Sequence, residues 1–238
     1  MMEKYILKPL DWDTDFFGVS SARAMLNEAL TEQEIENMLE QCKVYGFVTI
    51  ENTCGSPIND FNLGTKSKAY ITDCAVTLKK KSAPHSVDEF DGNSIRLAVE
   101  ADLPWIEEIA KNAFVTSRFY NDPCIPVEKA SDLYKSWVKN AFADENKTIF
   151  VTDEQNGFLI YYENGKDAHL NLIAAGGANR KKGVGTVLTK YADNYAFENG
   201  CEDFYVGTQS SNIPAINLYV KCGFKFSKST RIFHLRND

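Results

Sequence analysis

The chain has 238 residues, of which 44% are hydrophobic and 25% charged, with a formal net charge of −7. That is enough apolar material for a real core, in one large domain or two small ones. The acidic balance excludes a general nucleic-acid binder, whose footprint would be basic, so a local basic patch is the more informative feature.

Tyr5-Ile-Leu reads as a strand. Thr31-Glu-Gln-Glu predicts a capped helix start, with Glu34 three residues after Thr31. That helix should run to about Tyr45 with Ile35, Met38, Leu39 and Cys42 on one face, and Gly46 should stop it. Phe47-Val-Thr-Ile and Ala69 to Leu78 read as strands. Residues 80 to 94, KKSAPHSVDEFDGNS, read as a linker or long loop. They divide a small mixed α/β part, residues 1–88, from a second part, residues 95–238. In the second part Ile95-Arg-Leu-Ala is a short strand. Asp102 should cap a helix carrying Pro104 in its first turn. A further helix is expected from Val127 to Phe142, with Leu133, Trp137 and Ala141 in phase. Three strands follow, at 148–152, 157–162 and 168–175, with Asn156-Gly157 as a hairpin turn. A helix then runs to about Glu198 and ends at Asn199-Gly200. Phe204-Tyr-Val-Gly is a strand, Asn212-Ile-Pro-Ala opens a helix that stops at Gly223, and one or two strands close the chain.

The cysteines at 42, 54, 74, 124, 201 and 222 form no Cys-x-x-Cys pair, and the three histidines are scattered. No zinc pattern results, so no metal is expected and the thiols read as reduced and mostly buried. The stretch MMEKYILKPLDWD lacks the apolar core of a signal peptide, and no apolar run approaches the roughly 18 residues that span a bilayer. A cytoplasmic location is the expectation.

The most informative stretch is Asn179-Arg-Lys-Lys-Gly-Val-Gly-Thr186, between an apolar strand and an amphipathic helix. It fails the Walker pattern, because Lys182 stands where a second Gly is needed. It fails the dinucleotide fingerprint, because Leu188 stands where a third Gly is needed. What remains still suits an anion. The first N–H groups of a helix are unpaired and its end is partly positive. Gly183 and Gly185 let backbone approach a phosphate closely. Arg180, Lys181 and Lys182 add positive charge. The blander reading is a solvated basic loop at the start of a surface helix.

Strand, Arg-x-x-Gly-x-Gly, helix, strand, then Asn212-x-x-Ala-x-x-Leu-Tyr219-x-x-x-Gly-Phe resembles the GNAT superfamily of N-acetyltransferases over roughly residues 95–238. The resemblance implies a mixed, mostly antiparallel central sheet flanked by helices (an α/β, or α+β, fold). It implies acetyl-CoA as co-substrate, with the pyrophosphate on the loop Arg180, Lys181, Lys182, Gly183, Val184, Gly185 and Thr186. The strand at Ile173, Ala174 and Ala175 would pair with the pantetheine arm, and one of its N–H groups would face the thioester carbonyl. Gly176-Gly177-Ala178 departs from the Pro or acidic residue that often follows this strand. Asn212 would touch the pantetheine or its loop as well as capping its helix. Tyr219 would protonate the leaving thiolate, a packed aromatic being the alternative. For the base, His169 is a candidate, although a half-exposed strand histidine is the more ordinary reading.

Leu10-Asp-Trp-Asp-Thr-Asp-Phe-Phe-Gly18, Phe114-Val-Thr-Ser-Arg-Phe-Tyr-Asn-Asp-Pro123 and Leu133-Tyr-x-x-Trp137 together resemble the TDP-fucosamine acetyltransferase group, which acts on nucleotide-linked amino sugars. By that resemblance Arg118 would meet a diphosphate, with a surface ion pair as the alternative. Phe119 or Tyr120 would stack on a sugar or base. Trp12, Phe16 and Phe17 read more simply as the core of the first part or its seam with the second. A protein N-terminus, a polyamine or another small amine remains open as acceptor, as does a non-catalytic acyl-CoA sensor. Nucleic-acid and membrane partners are not expected, and an exposed strand edge would allow a homodimer.

Overall fold

The computed structural model describes residues 3–86, 94–177 and 182–237. In chain order the elements are β1 (Tyr5–Pro9), α1 (Asp11–Phe17), β2 (Ser21–Leu26), α2 (Glu32–Cys42), β3 (Phe47–Asn52), α3 (Pro57–Lys66) and β4 (Tyr70–Lys81). There follow β5 (Ile95–Leu97), α4 (Leu103–Ala113), α5 (Arg118–Asn121), α6 (Val127–Phe142), β6 (Lys147–Thr152), β7 (Gly157–Asn164) and β8 (Asp167–Ala175). The chain ends with α7 (Val184–Glu198), β9 (Asp203–Gln209), α8 (Ile213–Lys221) and β10 (Lys225–Arg236). The fold is mixed α/β, with mostly antiparallel strand pairs flanked by helices.

Two compact units divide the chain: Met1–Ala75 with Ser117–Cys124 and Ser229–Asp238, and Val76–Thr116 with Ile125–Lys228. This differs from the expected division at 88/95, because two later segments belong to the first unit. Their reason for being there is a buried polar network. Tyr70 Oη donates to Asp122 Oδ1 at 2.7 Å, and His234 Nδ1 lies 2.7 Å from Asp122 Oδ2. The Asp122 and His234 side chains are fully buried. A carboxylate cannot be buried without partners, so the segment bearing Asp122 and the strand bearing His234 stay with Tyr70. Burial works against the Asp122 carboxylate, yet the bonds from His234, Tyr70 and the Cys124 N–H hold its pKa down at about 2.

In the first unit β1 pairs antiparallel with β2, β2 parallel with β3, and β3 antiparallel with β10 from Arg231 to Arg236. Ala22, Ala24, Leu26, Ile35, Met38, Ile50, Leu63 and Phe233 fill its core. The capping box of α2 is formed as the sequence predicts: Thr31 Oγ1 accepts the Glu34 N–H at 3.3 Å, and Glu34 Oε2 accepts the Thr31 N–H at 2.8 Å. Thr31→Ala should therefore cost about 1 kcal/mol of stability, measured as a lower urea midpoint with unchanged slope. A midpoint equal to that of the parent would mean the box contributes nothing.

In the second unit β9, β8, β7, β6 and β5 lie side by side in that order, with β4 next to β9. Phe150, Leu159, Tyr161, Leu170, Leu188, Ala192, Phe204 and Val206 are among its core residues. Two expectations need correcting. Asp102 precedes α4 but its side chain does not cap that helix. It accepts from the two terminal guanidinium nitrogens of Arg96, at 2.6 and 2.9 Å, and from the Val99 N–H at 2.9 Å, which draws its pKa down. The β6–β7 turn is not built on Asn156-Gly157: Gln155 takes the left-handed position at φ 54, and Gly157 opens β7. A Cβ at Gly157 would stand 2.4 Å from Val184 Cγ1, so glycine is needed for the close approach of α7. The expected linker starts tied to α7, where Asp193 accepts from the Ala83 N–H at 3.2 Å and sits 2.5 Å from Lys80 Nζ. Its residues 87–93 lie outside the described residues.

Candidate active site

The second unit's sheet opens at one place. β8 and β9 are parallel and pair only over Asp167–Leu170 against Asp203–Val206. On its other edge β8 pairs with β7 as far as Ala175, but the register jumps: Ile160 faces Leu172 while Tyr161 faces Leu170. Asn171 is thus an extra residue on β8. A bulge bends its strand and increases the local twist. Beyond it, residues 171–175 have no β9 partner among the described residues, which leaves the backbone groups that point away from β7 available to an incoming amide chain.

The start of α7 lies beside this opening. Gly183 is its N-cap at φ 86, with no side-chain cap, and the first helical bond runs from the Val187 N–H to the Gly183 carbonyl at 3.0 Å. The N–H groups of Val184, Gly185 and Thr186 therefore lie in the uncapped first turn, which suits an anion. A Cβ on Gly185 would stand 3.0 Å from Leu218 Cδ2 and 3.9 Å from Ile173 Cδ1. The glycine thus lets α7 begin hard against α8 and β8. Lys182 is exposed. Arg180 and Lys181 lie outside the described residues.

The third part is α8. Asn212 Oδ1 accepts the Ala215 N–H at 3.3 Å, the cap the sequence predicts, and its amide N–H groups remain for a ligand. Tyr219 is 3% exposed and packs edge-on to Phe224, with ring centroids 5.9 Å apart. It shares a core cluster with Val184, Leu170 and Val206, the residues at the start of α7 and at the end of the β8–β9 ladder. Burial pushes its phenol above the usual tyrosine value, so it is protonated at neutral pH and fit to donate.

A cavity of about 610 Å³ lies on the sheet beside the opening, lined among others by Tyr162, Asp167, His169, Asn171, Tyr205 and Lys228. Across it runs a row of rings. Tyr162 and His169 stack at 4.6 Å and 5°, His169 and Tyr205 at 5.2 Å and 17°, and Lys79 Nζ lies 5.7 Å from the Tyr205 centroid. The sequence reading singled out His169 but missed Tyr162 and Tyr205. The signal was one of parity: residues 162 and 205 oppose 169 on neighbouring strands.

The predicted acceptor residues fall in the first unit, on α5. Phe119 is 3% exposed and stacks on Phe17 at 6.0 Å, while the Arg118 guanidinium lies 4.4 Å from its ring centroid. Protein already covers that ring, so Phe119 is core here, whereas Phe17 is half-buried and Trp12 is exposed, so the expected core role of α1 does not hold. Tyr120 is half-buried. Burial raises the Asp13 and Asp73 carboxyls, Asp73 to about 6, and in both the Arg118 charge opposes the rise. Arg118 thus sits in the field of two carboxylates, as the ion-pair alternative requires.

All six cysteines are free, with Cys42, Cys201 and Cys222 buried but Cys54 and Cys124 exposed. Among the described residues no three His, Cys, Asp or Glu side chains come together as a metal would need, and no helix is long and apolar enough to cross a membrane.

Comparison with known proteins agrees with this geometry. The sequence model described as "Acetyltransferase (GNAT) family" matches residues 113–224. The chain is 26% identical over 223 residues to dTDP-fucosamine acetyltransferase of Escherichia coli, covering 91% of this chain and 92% of that protein. It is 25% identical over 138 residues to spore coat polysaccharide biosynthesis protein SpsD of Bacillus subtilis, covering 56% of this chain and 47% of the other. A GCN5-related N-acetyltransferase from Sphaerobacter thermophilus shares the fold, with a TM-score of 0.68 at 12% identity over 98% of this chain and 77% of its own. Residues 113–224 thus match the GNAT acetyltransferase family, and the chain's similarity to named acetyltransferases supports an N-acetyltransferase enzyme.

Proposed function

We propose that this enzyme moves the acetyl group of acetyl-CoA directly onto the primary amine of a nucleotide-linked amino sugar. The observation that carries the acceptor class is the lining of the cavity. Tyrosine edges, Asn164, Asn171, Thr77 and Ser227 supply neutral polar groups, with one carboxylate, Asp167, and one ammonium, Lys228. Hydroxyl, amide and aromatic groups suit an uncharged polyol ring. A polyamine would call for several carboxylates, and the chain's net charge of −7 is not gathered here. The similarity of 91% of the chain to an enzyme named for dTDP-fucosamine supports the same class.

In this reading the uncapped N–H groups of Val184, Gly185 and Thr186, with Arg180, Lys181 and Lys182, hold the pyrophosphate of acetyl-CoA. The free edge at Ile173, Ala174 and Ala175 takes the pantetheine amides, and Asn212 steadies that arm. One β8 N–H faces the thioester oxygen and stabilises the charge it gains. The neutral amine attacks the carbonyl carbon, the carbon–sulfur bond breaks, and Tyr219 gives its proton to the departing thiolate.

The test is thiol release from acetyl-CoA with a panel of amines: TDP-linked 4-amino and 3-amino sugars, spermidine and short peptides. Release confined to a TDP-amino sugar is expected. Release with spermidine or peptides alone would overturn the acceptor class. Acetyl-CoA binding without release on any amine would favour a sensor.

A further inference from the structure

We propose that Gly207 sets acceptor specificity: its missing side chain leaves the gap in which the amine-bearing end of the acceptor lies. This rests on the direct-transfer reading above, under which that end is a sugar ring. Among the described residues two strand positions are glycine, Gly157 in β7 and Gly207 in β9. Gly157 has a packing reason, the close approach of Val184. Gly207 has none. A Cβ there would meet nothing within 4 Å, and Gly207 is not among the glycines with positive φ. Any side chain would therefore fit the protein at this place. Yet glycine in a strand interior weakens the strand, and it commonly marks the close approach of a ligand or another backbone. Since no other part of the chain comes near, a ligand is the remaining reason.

The position says which ligand. The β8–β9 ladder ends where Leu170 faces Val206. Gly207 is the next residue of β9, and Asn171, the bulge residue, is the next of β8. They stand where the two strands part, and both line the cavity. Phe204 and Val206 are buried in the core, so by the alternation of a strand Gly207 faces the cavity side, as Tyr205 does. Ile173, on the segment proposed to hold the thioester, is two residues beyond Asn171. At about 3.3 Å per residue that is ~7 Å of strand, which one sugar ring and its amine span without a relay. With no side chain at 207 the ring can lie against the β9 backbone. Asn171, Thr77 and Ser227 line the same cavity and offer amide and hydroxyl partners to the ring hydroxyls. A side chain at 207 would occupy the ring's place and hold the amine back from the thioester.

The test compares the parent enzyme with Gly207→Ala and Gly207→Val, using a TDP-linked 4-amino sugar. The kcat/KM for the sugar is expected to fall with side-chain size, by about tenfold or more in the valine variant. The dissociation constant of acetyl-CoA should stay within about twofold. The melting temperature of the valine variant should stay level or rise, because valine is a better strand former than glycine. Lost turnover in a protein at least as stable, with its cofactor still bound, is a result that a merely structural role does not give. An unchanged kcat/KM in the valine variant would overturn the proposal. So would weakened acetyl-CoA binding, which would give the gap to the cofactor, or a lowered melting temperature, which would make Gly207 structural. If the parent ignores the sugar but acetylates spermidine or a peptide, the acceptor class fails, and the same ratio measured on that amine decides whether the gap at Gly207 receives the acceptor.

Discussion

Tyr219→Phe is expected to lower kcat by about 10²- to 10⁴-fold while the dissociation constant of acetyl-CoA stays within about twofold, since only a transition-state proton donor is removed. The ring is buried and edge-packed on Phe224, and phenylalanine keeps that packing, so the fold should be undisturbed. The sign of the pH effect follows from burial. The phenol is pushed above its ordinary value, so the protonated form persists beyond pH 10. Tyr219 should therefore impose no falling limb on the parent's rate below that pH, in contrast to an exposed tyrosine. Calorimetric titration of acetyl-CoA and steady-state rates on the accepted amine separate the two quantities. Unchanged turnover would remove Tyr219 from the mechanism. Weakened acetyl-CoA binding with unchanged kcat would make it a binding residue instead.

What was legible in the sequence is what local chemistry dictates. The Thr31 and Glu34 box and the Asn212 cap are contacts within one turn, so their spacing is their structure. The glycines at 183, 200 and 223 sit at φ of 86, 78 and 89, as helix boundaries require. What was missed depends on partners distant in sequence. β2 reads Ser-Ala-Arg-Ala-Met-Leu, and alanine is a weak strand former; its pairing with β1 and β3 makes it a strand. α3 hides its period because its buried face carries Asn59 and Asn62. Asn59 bonds the Glu28 carbonyl and the Leu30 N–H, partners that lie about thirty residues away. Asp102 looked like a cap, but a bidentate guanidinium outcompetes a helix N–H for a carboxylate. The bulge at Asn171 leaves no mark in composition, yet it opens the sheet. The loop proposed to bind phosphate was thus readable from residues 179–186, while the cavity needed three strands in register.

Gly183→Val should weaken acetyl-CoA binding by about tenfold or more, with a smaller effect on stability. The cause is conformational rather than steric. A Cβ at Gly183 would meet nothing within 4 Å, but its φ of 86 lies in the left-handed region. A branched side chain there costs about 1–2 kcal/mol, and about 1.4 kcal/mol is a factor of ten in affinity. The chain can escape that strain by letting the loop turn away, and the N–H groups of Val184, Gly185 and Thr186 then lose their common aim. The loop's geometry would thus be restored only at the expense of binding energy. Gly165→Val is the control, because Gly165 has φ of 62 and open space around it, in the β7–β8 turn. It should lose comparable stability by thermal melting and keep its acetyl-CoA affinity. Equal loss of affinity in both variants would mean general destabilisation, and unchanged affinity in Gly183→Val would count against the start of α7 as the pyrophosphate site. A clean difference between the two would locate the anion contact at that helix start, where the sequence alone offered only three cations and two glycines.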